Sequence, residues 1–486
     1  MTVSSLSVST QVRPPLRDNN EIQGNVLAGF NKDFQTFLFV VFAHDSNGNV
    51  TDGCREWLRG LVPRVAANDE VTRFNEEFSA YQKANGGADP DGMDRTWISV
   101  ALTGGGLRAL PSASAAQVNA NSDLNVGAQG MVTTLHDPDP GTWLFGGSKD
   151  GTVRPDMIVT IAGDRLSDVE ENSKDIVDAA GPTVQIHVEQ GATLPSDRVG
   201  HEHFGFKDGV SQPKVQDYDF PDAVPAGAHL VGAGQFLVDY DKSDGQSTWM
   251  KNGSFMVYRR LAQDVAGFWS AAASAATELT LPAPQSTTSA PVVRSVSPDE
   301  FAARLMGRWR NGTPISLDAT GDPGSLRAST GDAGFVFGAT VSGDACPFAS
   351  HVRKMNPREG FPGDDHRILR RGIPFGKPYD ASEQMLKSIA DSPRGLHFVC
   401  YASSYTPFVP LQSTWANTEA PGGGGLDPII QSTGDRSDFT VCGSNGDQKN
   451  VSFKSFVTST AAVLAFTPTI SSLSRLVNNE DLILAS

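Results

Sequence analysis

The sequence predicts an α+β protein whose first half is a split βαβ, or ferredoxin-like, unit. Three observations carry this. Between residues 35 and 189, strand-sized apolar runs and segments of helical spacing follow one another as strand, helix, strand, strand, helix, strand. Similar runs recur after residue 230 with longer insertions, which predicts a second α+β unit. Of the 486 residues, 39% are hydrophobic and 19% charged, a globular balance with ample material for a core.

Residues 1–20 are polar, carry Pro14 and Pro15, and read as a flexible lead. Residues 35–43 (QTFLFVVFA) form a buried strand. Residues 54–66 place Trp57, Leu58, Leu61 and Val65 at helical spacing. Residues 95–103 (RTWISVALT) and 156–162 (DMIVTIA) are strands, separated by a loop-rich insert. A polar helix over 168–180 stops at Gly181 and Pro182, and 183–189 (TVQIHVE) closes the unit. In the second half, 234–240 and 254–258 read as strands and 260–275 as a helix. Ser297 caps a helix that has Pro298 at its first position and runs to Trp309. Residues 396–402 and 461–466 are strands, and 410–417 is a helix. Between the halves, 200–213 (GHEHFGFKDGVSQP) has too many glycines for an element interior, yet Phe204 and Phe206 require burial, so it is a structured loop.

Basic residues number 39 and acidic residues 55, a net charge of −16, which repels nucleic acid and anionic membranes. The four cysteines are scattered and form neither a C-x-x-C zinc pair nor a C-x-x-C-H haem attachment site. The polar N-terminus has no Sec-type signal pattern, and no apolar run is long enough to span a bilayer. The expectation is a soluble protein, either cytoplasmic, exported by another route, or a mature form lacking its prepeptide.

Three segments can carry chemistry: 206–210 (FKDGV), 346–358 (CPFASHVRKMNPR) and 368–376 (ILRRGIPFG). Taken singly, each has an ordinary reading. Asp208-Gly209 is a turn dipeptide, His351 a surface or interface histidine among basic residues, and Arg370 and Arg371 are solvated or ion-paired. The glycine-rich 103–110 (TGGGLRAL) is no dinucleotide fingerprint.

Together, in this order, the three segments resemble the dye-decolorising peroxidase family. The G-x-x-D-G of 205–209 continuing as VSQP looks like its signature. HVRKMNPR looks like its haem-binding segment, and ILRRGIPFG like its distal-arginine segment. IQGNVL (22–27), LRAL (107–110) and GLHFV (395–399) extend the likeness over nearly the whole chain. The forms are more like the fungal and larger bacterial members than the compact bacterial ones. The resemblance implies two ferredoxin-like domains with antiparallel sheets holding one non-covalent haem b per chain, with 21–215 as the N-terminal domain and 216–486 as the haem-binding one.

The resemblance also implies roles. His351 is the axial ligand of the haem iron, which needs one proximal ligand and an open far side. Its other ring nitrogen should donate to a carboxylate, with Asp427 ahead of Asp435 and Asp438. Asp208 is the distal acid/base that moves a proton between the peroxide oxygens, and a carboxylate in that role suits an acidic optimum. Arg370 stabilises charge on the departing oxygen while Arg371 points away. Arg353 pairs with a propionate. Gly209, Leu396 and Phe398 border the cofactor, the last two on one face of a strand. Trp415 is a surface electron-transfer residue for bulky dyes, or else a half-buried helix tryptophan. Phe375 stands where some fungal relatives have tyrosine, which leaves Tyr379, Tyr401 and Tyr405 as substitutes. Hydrogen peroxide, aromatic dyes and phenols are the implied partners of a monomer or small homo-oligomer.

Two rival readings stand beside this one. His201, His203 and Asp208 in one loop offer a non-haem iron or zinc site. A haem-binding or haem-transfer protein on the same scaffold would have no use for Asp208 and Arg370.

Overall fold

The computed structural model of the chain describes residues 12–110, 118–224, 230–243, 248–282, 293–317, 335, 337, 346–358, 366–380, 393–420, 423–433, 437–442, 448–480 and 482. The first half contains β1 (Phe34–Phe42), α1 (Asp52–Leu61), α2 (Asn68–Ala84), β2 (Thr96–Leu102), β3 (Met157–Gly163), α3 (Leu166–Ala180) and β4 (Val184–Ala192). Its strands pair antiparallel in the order β4–β1–β3–β2, the ferredoxin-like arrangement. β1 is buried on both faces because one core packs against each side of this sheet. Leu38 and Val40 join the core under α1 and α3, while Phe37 and Phe39 enter a second core on the other face. Each such side chain contributes ~1.5–3 kcal/mol.

The second half repeats the order with larger insertions. β5 (Ser254–Gln263), α4 (Val265–Thr277), α5 (Pro298–Met306), α6 (His351–Met355), β6 (Leu369–Arg370), β7 (Ile373–Phe375), β8 (Gly395–Ala402) and β9 (Val457–Thr467) follow, and α7 (Ile470–Asn478) is the last helix among the described residues. With β6 and β7 counted as one broken strand, the order β6/β7–β8–β5–β9 mirrors that of the first half. A single pairing, Phe466 with Leu102, joins β9 to β2 and makes one antiparallel sheet of both units. A hairpin of Ser437–Cys442 and Gln448–Phe453 packs Phe453 against Phe268 of α4. No helix of the described residues is long and apolar enough to cross a membrane. Cys54, Cys346 and Cys400 are buried free thiols.

Several expectations need correction. Of the flexible lead, residues 1–11 lie outside the described residues, but its second half is packed onto α2. Leu16 is buried, its carbonyl accepts from Asn68, and Arg13 and Arg17 both pair with Glu76 of α2. Sequence periodicity missed α2 itself, whose buried residues are confined to Asn68, Val71 and Thr72. β5 continues through Gln263, because its ladder with β8 and β9 takes up residues 260–263; α4 starts at Val265, with Asp264 capping Gly267. Residues 234–240 are turns rather than a strand. α5 stops at Met306 because Gly307 turns left-handed, at φ 91°. Residues 411–416 form a wide i→i+5 helical turn.

Candidate active site

His351 is the first residue of α6. Its Nδ1 lies 2.9 Å from Asp427 Oδ2, and the Asp427 side chain is 0% exposed. Asp427 Oδ1 accepts from the amides of Ile429 (2.8 Å) and Ile430 (3.0 Å). Burial pushes the Asp427 carboxyl up, but the imidazole and the two amides outweigh it and hold the group below its ordinary range. An ionised carboxylate only accepts, so Nδ1 carries the hydrogen, and the neutral form of the ring has its lone pair on Nε2. Nε2 has no hydrogen-bond partner among the described residues. An imidazole held this way has the form of a metal ligand with its outer partner in place. Asp435 lies outside the described residues.

The surroundings hold this pair firmly. Ser350 donates through Oγ to the Arg304 carbonyl of α5, which fixes the start of α6. Lys354 donates to the carbonyls of Thr418 (2.7 Å) and Gly425 (3.2 Å), tying α6 to the loop that presents Asp427. The Asp427 amide donates to Ala416 in the wide turn. Arg353 points elsewhere: it donates to the Cys346 carbonyl at 2.6 Å and lies over the Phe348 ring at 4.2 Å.

The second group of side chains comes from the 200–213 loop and β6. Phe204 stacks on Phe268 at 4.3 Å and Phe206 lies parallel to Trp269, so both aromatics are core. Glu202 accepts from the amides of Phe204 (2.8 Å) and Phe206 (2.9 Å) and from Gln263 (2.6 Å), which sets the loop's curl. Burial pushes its carboxyl up to about 7. Gly205 (φ 98°) and Gly209 (φ 71°) make the two left-handed turns that bring Asp208 outward.

Asp208 Oδ1 accepts from Arg370 Nη1 at 2.9 Å and from the Gly209 amide at 2.6 Å. The two side chains are about one-third exposed, 35% for Asp208 and 32% for Arg370. Arg370 also donates to the Ser211 carbonyl. Gln212 clamps its backbone in both directions, at 3.2 and 3.1 Å. Arg371 turns the other way and donates to the carbonyls of Asn25, Val26 and Leu27, which explains why the IQGNVL segment and the arginine pair occur together. Gln212 stands in VSQP (210–213), where spacing alone gives it no role.

Antiparallel register puts Arg370 opposite Cys400, Arg259 opposite Phe398 and Leu261 opposite Leu396. Arg370, Arg259, Leu396 and Phe398 therefore share one face of the sheet. Leu396 and Phe398 are half-buried there. Arg259 is ion-paired with Asp137 and donates to Gln412 at 2.8 Å; Gln412 in turn donates to the Ile430 carbonyl beside Asp427. Nothing in sequence spacing pointed to this link. Trp415, in the same wide turn, is half-buried with the His366 ring edge-on at 5.2 Å.

The described residues do not gather the non-haem metal set. His201 Nδ1 faces the Val199 carbonyl, His203 is buried with Nε2 on the Phe375 carbonyl, and Glu202 is fully engaged. No group of three His, Cys, Asp or Glu that could hold an ion occurs among the described residues.

Comparison with known proteins agrees with this chemistry. Residues 201–423 match the family model described as Dyp-type peroxidase, C-terminal. A dye-decolorizing peroxidase of Mycena epipterygia is 30% identical over 441 residues, covering 85% of this chain and 74% of that protein. One from Mycetinis scorodonius is 29% identical over 437 residues, covering 84% and 76%. A solved dye-decolorizing peroxidase in complex with 2,6-dimethoxyphenol superposes with a TM-score of 0.75 at 26% identity, covering 95% of this chain and 99% of that one. The shared ferredoxin-like pair, the matched span from His201 through Arg370 and this extent of likeness place the chain in the dye-decolorizing peroxidase family, whose members are haem peroxidases.

Proposed function

We propose that the chain binds one non-covalent haem b through His351 Nε2 and uses hydrogen peroxide to oxidise dyes and phenols. The donor set supports this. An imidazole backed by a sealed carboxylate suits an iron ligand, and Arg370, Leu396 and Phe398, all half-buried, share one sheet face. Bound there, haem supplies the redox centre at which peroxide is reduced. Gly209 and the Leu396–Phe398 pair border it, and Arg353, in α6 with His351, takes a propionate by leaving the Cys346 carbonyl that it now meets. The division of the chain near residue 215 follows from the same reading and is supported by the mirrored strand order of the two halves.

The chain's own groups do the proton and charge work. Asp208 takes the proton from one peroxide oxygen and returns it to the other, after releasing Arg370. Arg370 then faces the oxygen on which negative charge collects. The Ser211 carbonyl keeps that guanidinium in place, Gln212 clamps the Arg370 backbone, and Arg371 anchors the strand behind it. The observation that carries the proposal is the Asp208–Arg370 pair at 2.9 Å, a partly exposed carboxylate beside a cation held by Ser211, for which a haem carrier would have no need.

The test is the absorption spectrum of the purified protein with hemin and then with peroxide. Haem absorption is expected and should be absent in His351→Ala. Peroxide should change the spectrum rapidly in the parent and slowly in Asp208→Asn. A parent that binds hemin but does not respond to peroxide would leave the carrier reading.

A further inference from the structure

On the opposite face of the sheet a phenol and an imidazole are buried together. Tyr258 of β5 and His397 of β8 are both shielded from solvent, among Phe37, Phe39, Phe145 and Phe375. The Tyr258 hydroxyl lies 2.8 Å from His397 Nδ1, and His397 Nε2 lies 3.2 Å from the Gln190 carbonyl. A carbonyl only accepts, so Nε2 carries the hydrogen. The lone pair of the neutral ring is then at Nδ1, and the phenol is the donor. Burial pushes the imidazole down to about 4, against Glu189, so the ring is neutral at pH values above that. Burial also holds the phenol well above its ordinary range, so it does not ionise unaided.

The polar groups continue outward. Glu189 Oε2 lies 3.9 Å from His397 Nε2 and accepts from Arg260 Nε at 2.9 Å, and Glu189 Oε1 lies 3.0 Å from His187 Nε2. Side-chain exposure rises from 0% at His397 through 13% at Glu189 to 31% at His187. A buried phenol thus stands at the inner end of a line of proton acceptors that reaches solvent. Tyr401 and Tyr405 are as deeply buried, but their hydroxyls meet the Asn25 amide and the Ala465 carbonyl, neither of which is a base.

We propose that Tyr258 is a redox-active tyrosine of this peroxidase, giving up an electron together with its proton to His397. The inference rests on the peroxidase reading above, which supplies the oxidant. Hydrogen peroxide takes up two electrons and two protons in becoming two waters. Within the peroxidase reading, Tyr258 supplies one of those electrons and the haem centre the other. Its O–H bond breaks, the proton passes to His397 Nδ1, and a neutral phenoxyl remains beside an imidazolium that faces Glu189. Without that base, oxidation would leave a phenol cation in a low-dielectric core, where an unpaired charge is costly. A phenol or dye returns the electron and His397 returns the proton, which resets the pair. His397 lies between Leu396 and Phe398 in the chain, one sheet thickness from the proposed pocket.

The test mixes the holoenzyme with one equivalent of hydrogen peroxide, freezes it within milliseconds and records the electron paramagnetic resonance spectrum, with peroxide consumption followed in parallel. Protein made with ring-deuterated tyrosine identifies a tyrosyl signal by its narrowing. The signal is expected in the parent and is lost in Tyr258→Phe. It is also lost in His397→Leu, where the phenol remains and the base is gone. A signal that survives in either variant overturns the proposal. So does a parent without a tyrosyl signal: if peroxide is consumed, the pair alone fails, and if it is not, the peroxidase reading fails with it. Where a variant does not fold, electron–nuclear double resonance on parent protein labelled with heavy-nitrogen histidine decides. Coupling of the radical to a histidine nitrogen supports the pair, and its absence overturns it.

Discussion

The two sides of the proposed pocket hold a carboxylate in opposite ways. Asp427 is sealed, meets His351 at 2.9 Å and has its other oxygen saturated by two amides. Asp208 is 35% exposed, and its ion-pair partner Arg370 is 32% exposed. A sealed carboxylate held by three donors cannot swing, and it fixes the hydrogen of the imidazole on Nδ1. A carboxylate at the edge of solvent can let go of a cation and move a proton. One residue type serves as an anchor on one side and as a shuttle on the other, and the difference lies in burial and in the number of donors, not in the residue itself.

The largest test of that contrast is stability. Asp427→Ala removes one partner of a buried pair and strands two amides and the His351 Nδ1–H, at a cost of about 3–5 kcal/mol. Asp208→Ala breaks a screened pair and costs about 0.2–1 kcal/mol. Urea unfolding of both variants measures the gap, and equal losses would erase the distinction. The sign with pH comes from the same geometry. The folded-state pKa of Asp427 lies below its ordinary value, so its contribution is complete above the usual aspartate range near ~3.9. That contribution fades as pH falls through the lower folded value, and acid unfolding of Asp427→Asn should lack the corresponding slope.

Activity should reverse the ranking. Arg370→Leu is expected to keep haem and most of its stability while kcat falls about 10²–10³-fold, the usual loss when a charge-stabilising donor is removed. Steady-state rates with a small phenol, alongside the haem spectrum, check this. Near-normal turnover would take Arg370 out of the chemistry and leave it as a structural partner of Ser211 and Gln212.

The same contrast accounts for what could be read in the sequence. Asp208, His351 and Arg370 stand in short segments whose order along the chain is visible. The βαββαβ order of the first half was visible because β1 to β4 bury continuous or alternating apolar runs. α2 was not, because a helix that buries only Asn68, Val71 and Thr72 carries no apolar stripe. The end of β5 was misread because Arg260 and Gln263 look polar, whereas in the sheet Arg260 is buried by pairing with Glu189 and by lying 4.0 Å over Phe375. The Arg259–Asp137–Gln412 link and the Tyr258–His397 pair join residues more than a hundred positions apart, and such contacts leave no mark on local spacing.

A smaller test concerns the loop that carries the shuttle. The Glu202 carboxyl is pushed up to about 7 by burial and, to a lesser degree, by the Asp208 charge. Its folded pKa exceeds the unfolded value of roughly 4.3. The folded state therefore binds more protons between those values, and stability falls as pH rises from the acidic side towards about 7. The loop is firmest in acid, where a carboxylate shuttle also works best. Glu202→Gln should flatten the stability–pH curve over that window in thermal unfolding. An unchanged slope would assign the pH dependence to other groups.

The smallest expected effect belongs to Trp415. It sits in the wide turn whose Ala416 carbonyl accepts from the Asp427 amide, so it belongs to the anchored side, yet it is half-buried and so reachable from solvent. If bulky dyes give up electrons there, Trp415→Ser should lower kcat/KM several-fold for dyes and leave small phenols, which reach the pocket, nearly unchanged. A packing role makes a different prediction. The indole holds the His366 ring at 5.2 Å and props the turn under Asp427, so losing it would loosen the anchor and depress both substrates together, with a matching fall in stability. The ratio of the two kcat/KM values, not either one alone, separates electron entry from support of the anchor.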